Sequence, residues 1–203
     1  MLNTDFFNRD ALLVAKELLG KVLYKRYADQ WLAAMIVETE AYYLADKGSH
    51  ASLGWTAKRQ ALFMPPGTLY LYYARGGDSL NVSCQGEGNA VLIKAGIPYG
   101  EDPMMLATMH RLNPVQYSLR QRDTHRLCAG QTLLCKALNI KVPEWDQRTF
   151  DKNYFYMGDV GYTPQNILQT TRLGIPKGRD EHLPYRFVDI DYVRATTRGT
   201  QKI

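Results

Sequence analysis

Residues 31–42 read Trp-Leu-Ala-Ala-Met-Ile-Val-Glu-Thr-Glu-Ala-Tyr and have the alternation that predicts a β-strand. Val37 and Thr39 fall on one face of this strand and Glu38 and Glu40 on the other, because successive side chains point to opposite sides. Two carboxylates on one face can bind a metal ion, act as a general acid and base, or be the solvated side of a half-buried strand. The alternation alone favours the solvated side, so we expect both glutamates to be exposed.

Strand, turn and helix patterns continue on either side of this segment. A helix is predicted after Asp10, a good N-cap residue, with its stop at Gly20. We predict a long loop over 43–66 and mainly helical structure over 101–140. Further strands are predicted at 22–24, 69–74, 79–84, 90–95, 154–157, 167–171 and 185–189. Short strands linked as hairpins indicate the α+β class, with one domain over residues 1–203 and a largely antiparallel sheet.

The composition is that of a folded globular protein. The 203 residues are 45% hydrophobic and 22% charged, which excludes disordered and fibrous architectures. No run approaches the roughly 20 apolar residues of a membrane span, and no secretory signal opens the chain, so we expect a cytoplasmic protein with no membrane partner. Cys84, Cys128 and Cys135 form no CxxC pair, which argues against a disulfide framework and against a cysteine zinc site.

The positive charge is concentrated in one interval. The whole chain has a formal net charge of +5, and residues 110–141 alone hold six Lys or Arg side chains against the single acid Asp123. Such a run can face the phosphates of a nucleic acid, or it can be an ordinary solvated helical face, which is the commoner case. Composition alone leaves both interpretations open.

Tyrosines and one histidine are the other candidates for ligand contacts. In Tyr70-Leu71-Tyr72-Tyr73, the first and third side chains share a strand face and Tyr73 lies opposite, an arrangement that ordinary sheet packing also produces. His50 lies in a Gly-Ser-His-Ala-Ser segment of the predicted loop. The chain has no P-loop, GxGxxG or HExxH motif, so the common nucleotide-binding and metalloprotease patterns are absent from the sequence.

Several segments together carry a family resemblance. They are Asp5-Phe6-Phe7, 15–20 (AKELLG), 36–42 (IVETEAY), 63–72 (FMPPGTLYLY), 127–130 (LCAG) and Tyr185-Arg186-Phe187. In this order and at this spacing, the chain resembles the alkyladenine (3-methyladenine) DNA glycosylase family over nearly its whole length. The resemblance implies a curved sheet surrounded by helices and hydrolysis of the N-glycosidic bond of an alkylated purine that has been flipped out of duplex DNA.

The same resemblance implies roles for individual residues. Glu40 matches the catalytic glutamate, which would activate water for attack at C1′. Tyr42, His50 and Tyr72 match the aromatic groups that sandwich the flipped base, and Asn81 matches the asparagine beside the purine edge. The implied partner is double-stranded DNA containing alkylated bases, bound by a monomer, and neither a metal nor an organic cofactor is implied.

Three positions depart from the family pattern. Lys94 stands where the family often has arginine, which keeps the charge but loses the planar fork. The interval before Asn81 is one residue short, so either Tyr73 or Arg75 could fill the gap that a flipped base leaves. A lysine expected near phosphate is missing from 130–134, which leaves Arg120, Arg122 and Arg126 as the DNA-binding candidates of the basic interval.

Two other function classes remain open at this point. A non-catalytic nucleic-acid-binding domain would use the same basic and aromatic surface without needing Glu40. A hydrolase of free nucleosides would need the pocket but not the basic interval.

Overall fold

The structure, a computed structural model, describes residues 1–74, 76–118 and 120–200. Its centre is an antiparallel sheet of eight strands. They are β1 (Val22–Tyr27), β2 (Gln30–Tyr42), β3 (Leu69–Ala74), β4 (Gly77–Ser83), β5 (Ala90–Pro98), β6 (Phe155–Gly158), β7 (Ile167–Thr170) and β8 (Arg186–Asp189). The main path through the sheet is β3-β4-β5-β2-β1-β6, and β8 pairs with both β2 and β7. The predicted α+β class with a curved, largely antiparallel sheet is confirmed.

Strand β2 is shared by three neighbours. Its first half pairs with β1 and its second half with β8, while β5 runs along the other edge. A β-bulge between Ile36 and Thr39 shifts the register against β5 at the point where Glu38 lies. The second half of β2 is therefore paired on both edges and lies in the interior of the sheet.

Short helices surround this sheet. They are α1 (Thr4–Phe7), α2 (Ala11–Glu17), α3 (Pro103–Leu112), α4 (Gln131–Ala137) and α5 (Val142–Trp145), with 3₁₀ turns at Ala51–Leu53, Ala57–Phe63, Thr124–Arg126 and Ile190–Ala195. The predicted cap is confirmed, since the Asp10 carboxylate accepts hydrogen bonds from the backbone N–H groups of Leu12 and Leu13. No helix in the described part of the chain is long and apolar enough to cross a bilayer.

The helical prediction over 101–140 was correct at both ends and wrong in the middle. Helix α3 ends at Leu112, and the described residues between it and Thr124 contain no helix. Asn113 precedes Pro114, and a residue before proline is sterically disfavoured in the α conformation. The buried Asn113 amide instead donates to the carbonyl oxygens of Leu127 and Leu133, which ties the end of α3 to the start of α4.

The expectation that Glu38 and Glu40 form a solvated face was wrong. Both residues have 0% exposure. On the opposite face of β2, Thr39 donates from its hydroxyl to the Ala15 carbonyl in α2, so one side is covered by a helix. The glutamate side is covered by two segments from the last third of the chain, which approach at Leu173 and Thr197.

Candidate active site

Glu40 lies at the centre of a cluster of hydrogen-bond donors. Its Oε2 accepts from the Tyr42 hydroxyl at 2.7 Å, and its Oε1 accepts from the Leu173 backbone N–H at 3.0 Å. The Lys94 ammonium lies 3.2 Å from each of the two oxygens. Three donors, one of them charged, therefore orient this carboxylate.

Strand geometry brings these groups together. Tyr42 lies two residues after Glu40 on β2, so both side chains point to the same side of the sheet. Lys94 lies on the adjacent strand β5, between the residues that pair with Glu38 and Thr39, and is only 3% exposed. The lysine at the position where the family often has arginine thus still forms an ion pair with Glu40.

A cavity of about 340 Å³ opens beside this cluster. Its wall includes Tyr42, His50, Tyr72, Asn81 and Lys94, so the structure brings all five predicted substrate-binding residues to one cavity. This volume lies in the range typical of small-molecule sites, roughly 300–1,000 Å³.

The aromatic side of the cavity is a stack of rings. The His50 ring lies 4.5 Å from the Tyr72 ring, nearly edge-on, and Tyr72 stacks on Tyr70 with centroids 5.4 Å apart. A nitrogen of His50, Nδ1, lies 2.9 Å from the Tyr70 hydroxyl oxygen. Tyr70, almost fully buried, therefore supports both His50 and Tyr72 from behind.

Asn81 is held by the neighbouring strand. Its side-chain Nδ2 donates to the backbone carbonyl of Tyr70 at 3.1 Å, the residue directly opposite it on β3. Since the side chain is 5% exposed and lines the cavity, this bond fixes the orientation of the amide toward a ligand.

Two contributors to the site were missed from the sequence. The Arg172 guanidinium lies 4.6 Å from the centroid of the Tyr42 ring and forms a buried ion pair with Asp46. The next residue, Leu173, supplies the backbone N–H that Glu40 accepts. Neither carries a motif, and both lie more than 130 positions after Glu40, so no local pattern could have indicated them.

Burial and nearby charges shift the pKa values of two ring groups. Burial, followed by the nearby charge of Glu40, raises the pKa of Tyr42 well above its ordinary value, which keeps the hydroxyl protonated as a donor to Glu40. Burial, together with the cations Arg59 and Arg179, lowers the pKa of His50 below its usual 6.5. His50 is therefore mostly neutral at pH 7.

The predicted DNA-binding arginines lie along a second, larger cavity. Arg120, Arg122 and Arg126 line a groove of about 660 Å³ that shares Lys94 and Gln131 with the aromatic cavity. These three arginines lie between α3 and α4 and are not on an α-helical face, whereas Arg111 and Lys136 of the same basic interval lie on α3 and α4.

The two candidates for filling a DNA gap lie at the β3–β4 hairpin. Tyr73 is 67% exposed and pairs with Asp78 across the hairpin. Arg75 lies outside the described residues. Among the residues that the structure describes, no group of three or more His, Cys, Asp or Glu side chains could hold a metal ion.

Comparison with known proteins places the chain in a family. A family model described as methylpurine-DNA glycosylase (MPG) matches residues 5–192. Three relatives bear the name "Putative 3-methyladenine DNA glycosylase". The Pseudomonas aeruginosa protein is 60% identical over 98% of this chain and 84% of its own length, and the Pseudomonas savastanoi protein is 60% identical over 98% and 90%. The Koribacter versatilis protein is 36% identical over 90% of this chain and 86% of its own length. With a family match that spans nearly the whole chain, this protein belongs to the methylpurine-DNA glycosylase family.

Proposed function

We propose that this DNA glycosylase hydrolyses the N-glycosidic bond of alkylated purines of the 3-methyladenine type and leaves an abasic site in DNA. The observation that carries this proposal is the placement of Glu40. Its carboxylate is buried, and the three groups that donate hydrogen bonds to it belong to residues that line the aromatic cavity.

Glu40 acts as the general base in this reaction. It takes a proton from a water molecule as the water oxygen forms a bond to C1′ of the sugar. The bond between C1′ and the purine nitrogen breaks, and its electron pair leaves with the base. The negative charge of the carboxylate also stabilises the positive charge that develops on the sugar. Alkylation makes the purine electron-poor and a better leaving group, so the base needs little acid assistance.

Lys94, Tyr42 and the Leu173 N–H act as positioning groups. They hold the carboxylate with three hydrogen bonds and so fix its orientation for the water molecule that it activates. This fixed geometry lowers the cost of bringing the base and the nucleophile together in the transition state.

The aromatic cavity receives the flipped base. A cationic alkylpurine is attracted to the faces of Tyr42 and Tyr72, and a neutral His50 adds contact area without adding positive charge. Asn81 hydrogen-bonds the purine edge. Selection of alkylated over normal bases thus combines ring stacking with the weaker glycosidic bond of the damaged base.

The basic groove binds the DNA backbone next to this cavity. Arg120 and Arg122 contact phosphates, and Tyr73 or Arg75 fills the space left in the duplex by the flipped nucleotide. The protein acts on DNA as a monomer in the cytoplasm. An exposed aromatic ring at a hairpin tip, such as that of Tyr73, suits insertion between bases.

The test is release of base from alkylated duplex DNA by the wild-type protein and by Glu40→Gln under single-turnover conditions. We expect the variant to be slower by about 10²–10⁴-fold, because it lacks the general base. Binding to a duplex that carries a stable abasic-site analogue should stay within a few-fold. Equal rates would refute Glu40 as the base, and no release by either protein would favour a non-catalytic DNA-binding domain.

A further inference from the structure

The C-terminal segment of the described chain, residues 196–200, is anchored to the sheet at both of its ends. Arg126 donates from Nη1 to the carbonyl oxygens of Arg194 and Thr196, both at 2.7 Å. The Thr197 N–H donates to Oε2 of Glu38 at 2.7 Å, and Arg186 donates to the Thr200 hydroxyl at 3.2 Å. Thr196 and Thr200 are both buried.

Arg198 lies between these anchors and is itself exposed. It lines the basic groove together with Arg120, Arg122 and Lys94. The backbone on either side of Arg198 is held by buried side chains, so the main chain that carries this arginine is fixed before any ligand binds. Pre-organisation of this kind lowers the entropic cost of forming a contact.

The groove concentrates positive charge without matching acids. Among its described lining residues are five basic side chains, and the only acidic one is Asp123. Burial lowers the pKa of Arg122, and the nearby charge of Arg198 lowers it further. The Nε of Arg122 is buried and has no hydrogen-bond partner among the described residues. Like charges that converge in this way are stabilised when an anion binds between them.

The basic groove and the aromatic cavity are adjacent, so one ligand can occupy both. Lys94 and Gln131 belong to the walls of both, so a strand whose base enters the aromatic cavity carries its adjacent backbone past the groove. A phosphodiester matches the donor fork of arginine.

We propose that residues 196–200 form part of the DNA-binding surface and that Arg198 contacts a phosphodiester of the strand that carries the flipped nucleotide. This inference rests on the proposed function, and it lies outside the family match, which ends at residue 192. Arg126 then serves as a positioning residue, because its Nη1 already holds the segment that presents Arg198.

The test compares Arg198→Gln with Arg194→Gln. Each variant loses one positive charge, and Arg194 lies only four positions before Arg198, but it lines a different cavity, with His125 and Asp191. Affinity for a duplex with a stable abasic-site analogue is measured from 50 to 200 mM salt. For Arg198→Gln we expect about a tenfold loss of affinity at low salt and a decrease of about 0.9 in the magnitude of the log–log salt slope. For Arg194→Gln we expect less than about a twofold loss and a smaller change of slope.

The outcomes separate this inference from the proposed function. If the wild-type protein releases alkylated bases and Arg198→Gln keeps the wild-type affinity and slope, the inference is wrong and the function stands. If the wild-type protein releases no base but Arg198→Gln loses affinity and slope as expected, the function fails and the inference stands. Equal losses in both variants would show a general charge effect and would overturn a specific contact by Arg198.

Discussion

Glu38 and Glu40 lie two residues apart on the same face of β2, and both are fully buried. Their partners differ. Glu38 accepts from Arg186 and from the Thr197 N–H, which belong to the C-terminal part of the chain. The partners of Glu40 are Lys94, Tyr42 and Leu173, all of which line the aromatic cavity.

This difference places the two carboxylates in different surroundings. Neither glutamate is among the described residues that line the aromatic cavity, but all three donors to Glu40 belong to lining residues, whereas Glu38 joins the C-terminal segment to the sheet. Burial raises the pKa of Glu38, and the bond from the Thr197 N–H opposes that rise. Since both carboxylates are equally buried, the role proposed for Glu40 rests on its contacts with residues of the aromatic cavity and not on its exposure.

The largest expected effect is a difference in the rate of base release between Glu40→Gln and Glu38→Gln. Glu40→Gln is expected to slow base release by about 10²–10⁴-fold, whereas Glu38→Gln should stay within a few-fold of wild type when the enzyme saturates the DNA. Both substitutions remove one charge and keep the side-chain shape, so each is the matched control for the other. A comparable loss of rate in Glu38→Gln would mean that the two carboxylates act as a catalytic pair.

The second effect concerns the stability of the fold and is expected for Glu38→Gln. Glu38→Gln leaves Arg186 as an unpaired charge that is 1% exposed, which should cost about 3–5 kcal/mol in the free energy of unfolding. Arginine cannot lose its proton to escape this cost. Urea denaturation of the variant and the wild type measures the difference. A change below about 1 kcal/mol would show that the Glu38–Arg186 pair does not stabilise the fold.

Removal of Arg186 instead of Glu38 should lower the free energy of unfolding by an amount that depends on pH. In Arg186→Met, Glu38 can become neutral by protonation, because burial already raises its pKa. The folded variant then binds a proton that the unfolded chain has released, so its free energy of unfolding falls as pH rises above about 4.3. We expect the deficit relative to wild type to be larger at pH 8 than at pH 5 in denaturation experiments. The same deficit at both values would exclude protonation of Glu38.

These two glutamates also show how much of the fold and of the site can be predicted from the sequence. Alternation and turn residues located the strands, and the pairing of Glu40 with an aromatic cavity followed from the family resemblance. The burial of both carboxylates could not be predicted, because the segments that cover them approach from Leu173 and Thr197. One local signal was available and overlooked, since Asn113 before Pro114 indicates the end of α3.

A smaller effect should come from exchanging the cation beside Glu40. Lys94→Arg retains the positive charge beside Glu40 and replaces the ammonium with a guanidinium, the group by which Arg186 pairs with Glu38. Lys94 borders both the aromatic cavity and the basic groove, so a longer side chain has space. We expect the single-turnover rate to stay within about tenfold of wild type and the unfolding free energy to change by less than about 1 kcal/mol. A rate as low as that of Glu40→Gln would show that the exact position of the ammonium is required.

The smallest effect should appear at acidic pH and depends on His50. Its pKa lies below 6.5, so acidification protonates it only under that value and then places a second positive charge beside a cationic base. We expect affinity for a cationic alkylpurine to fall by roughly two- to fivefold as His50 becomes protonated. In His50→Gln this fall should be absent, while a neutral damaged base should show it in neither protein. If His50→Gln retains the acid limb, protonation of His50 is not the cause of the fall in affinity.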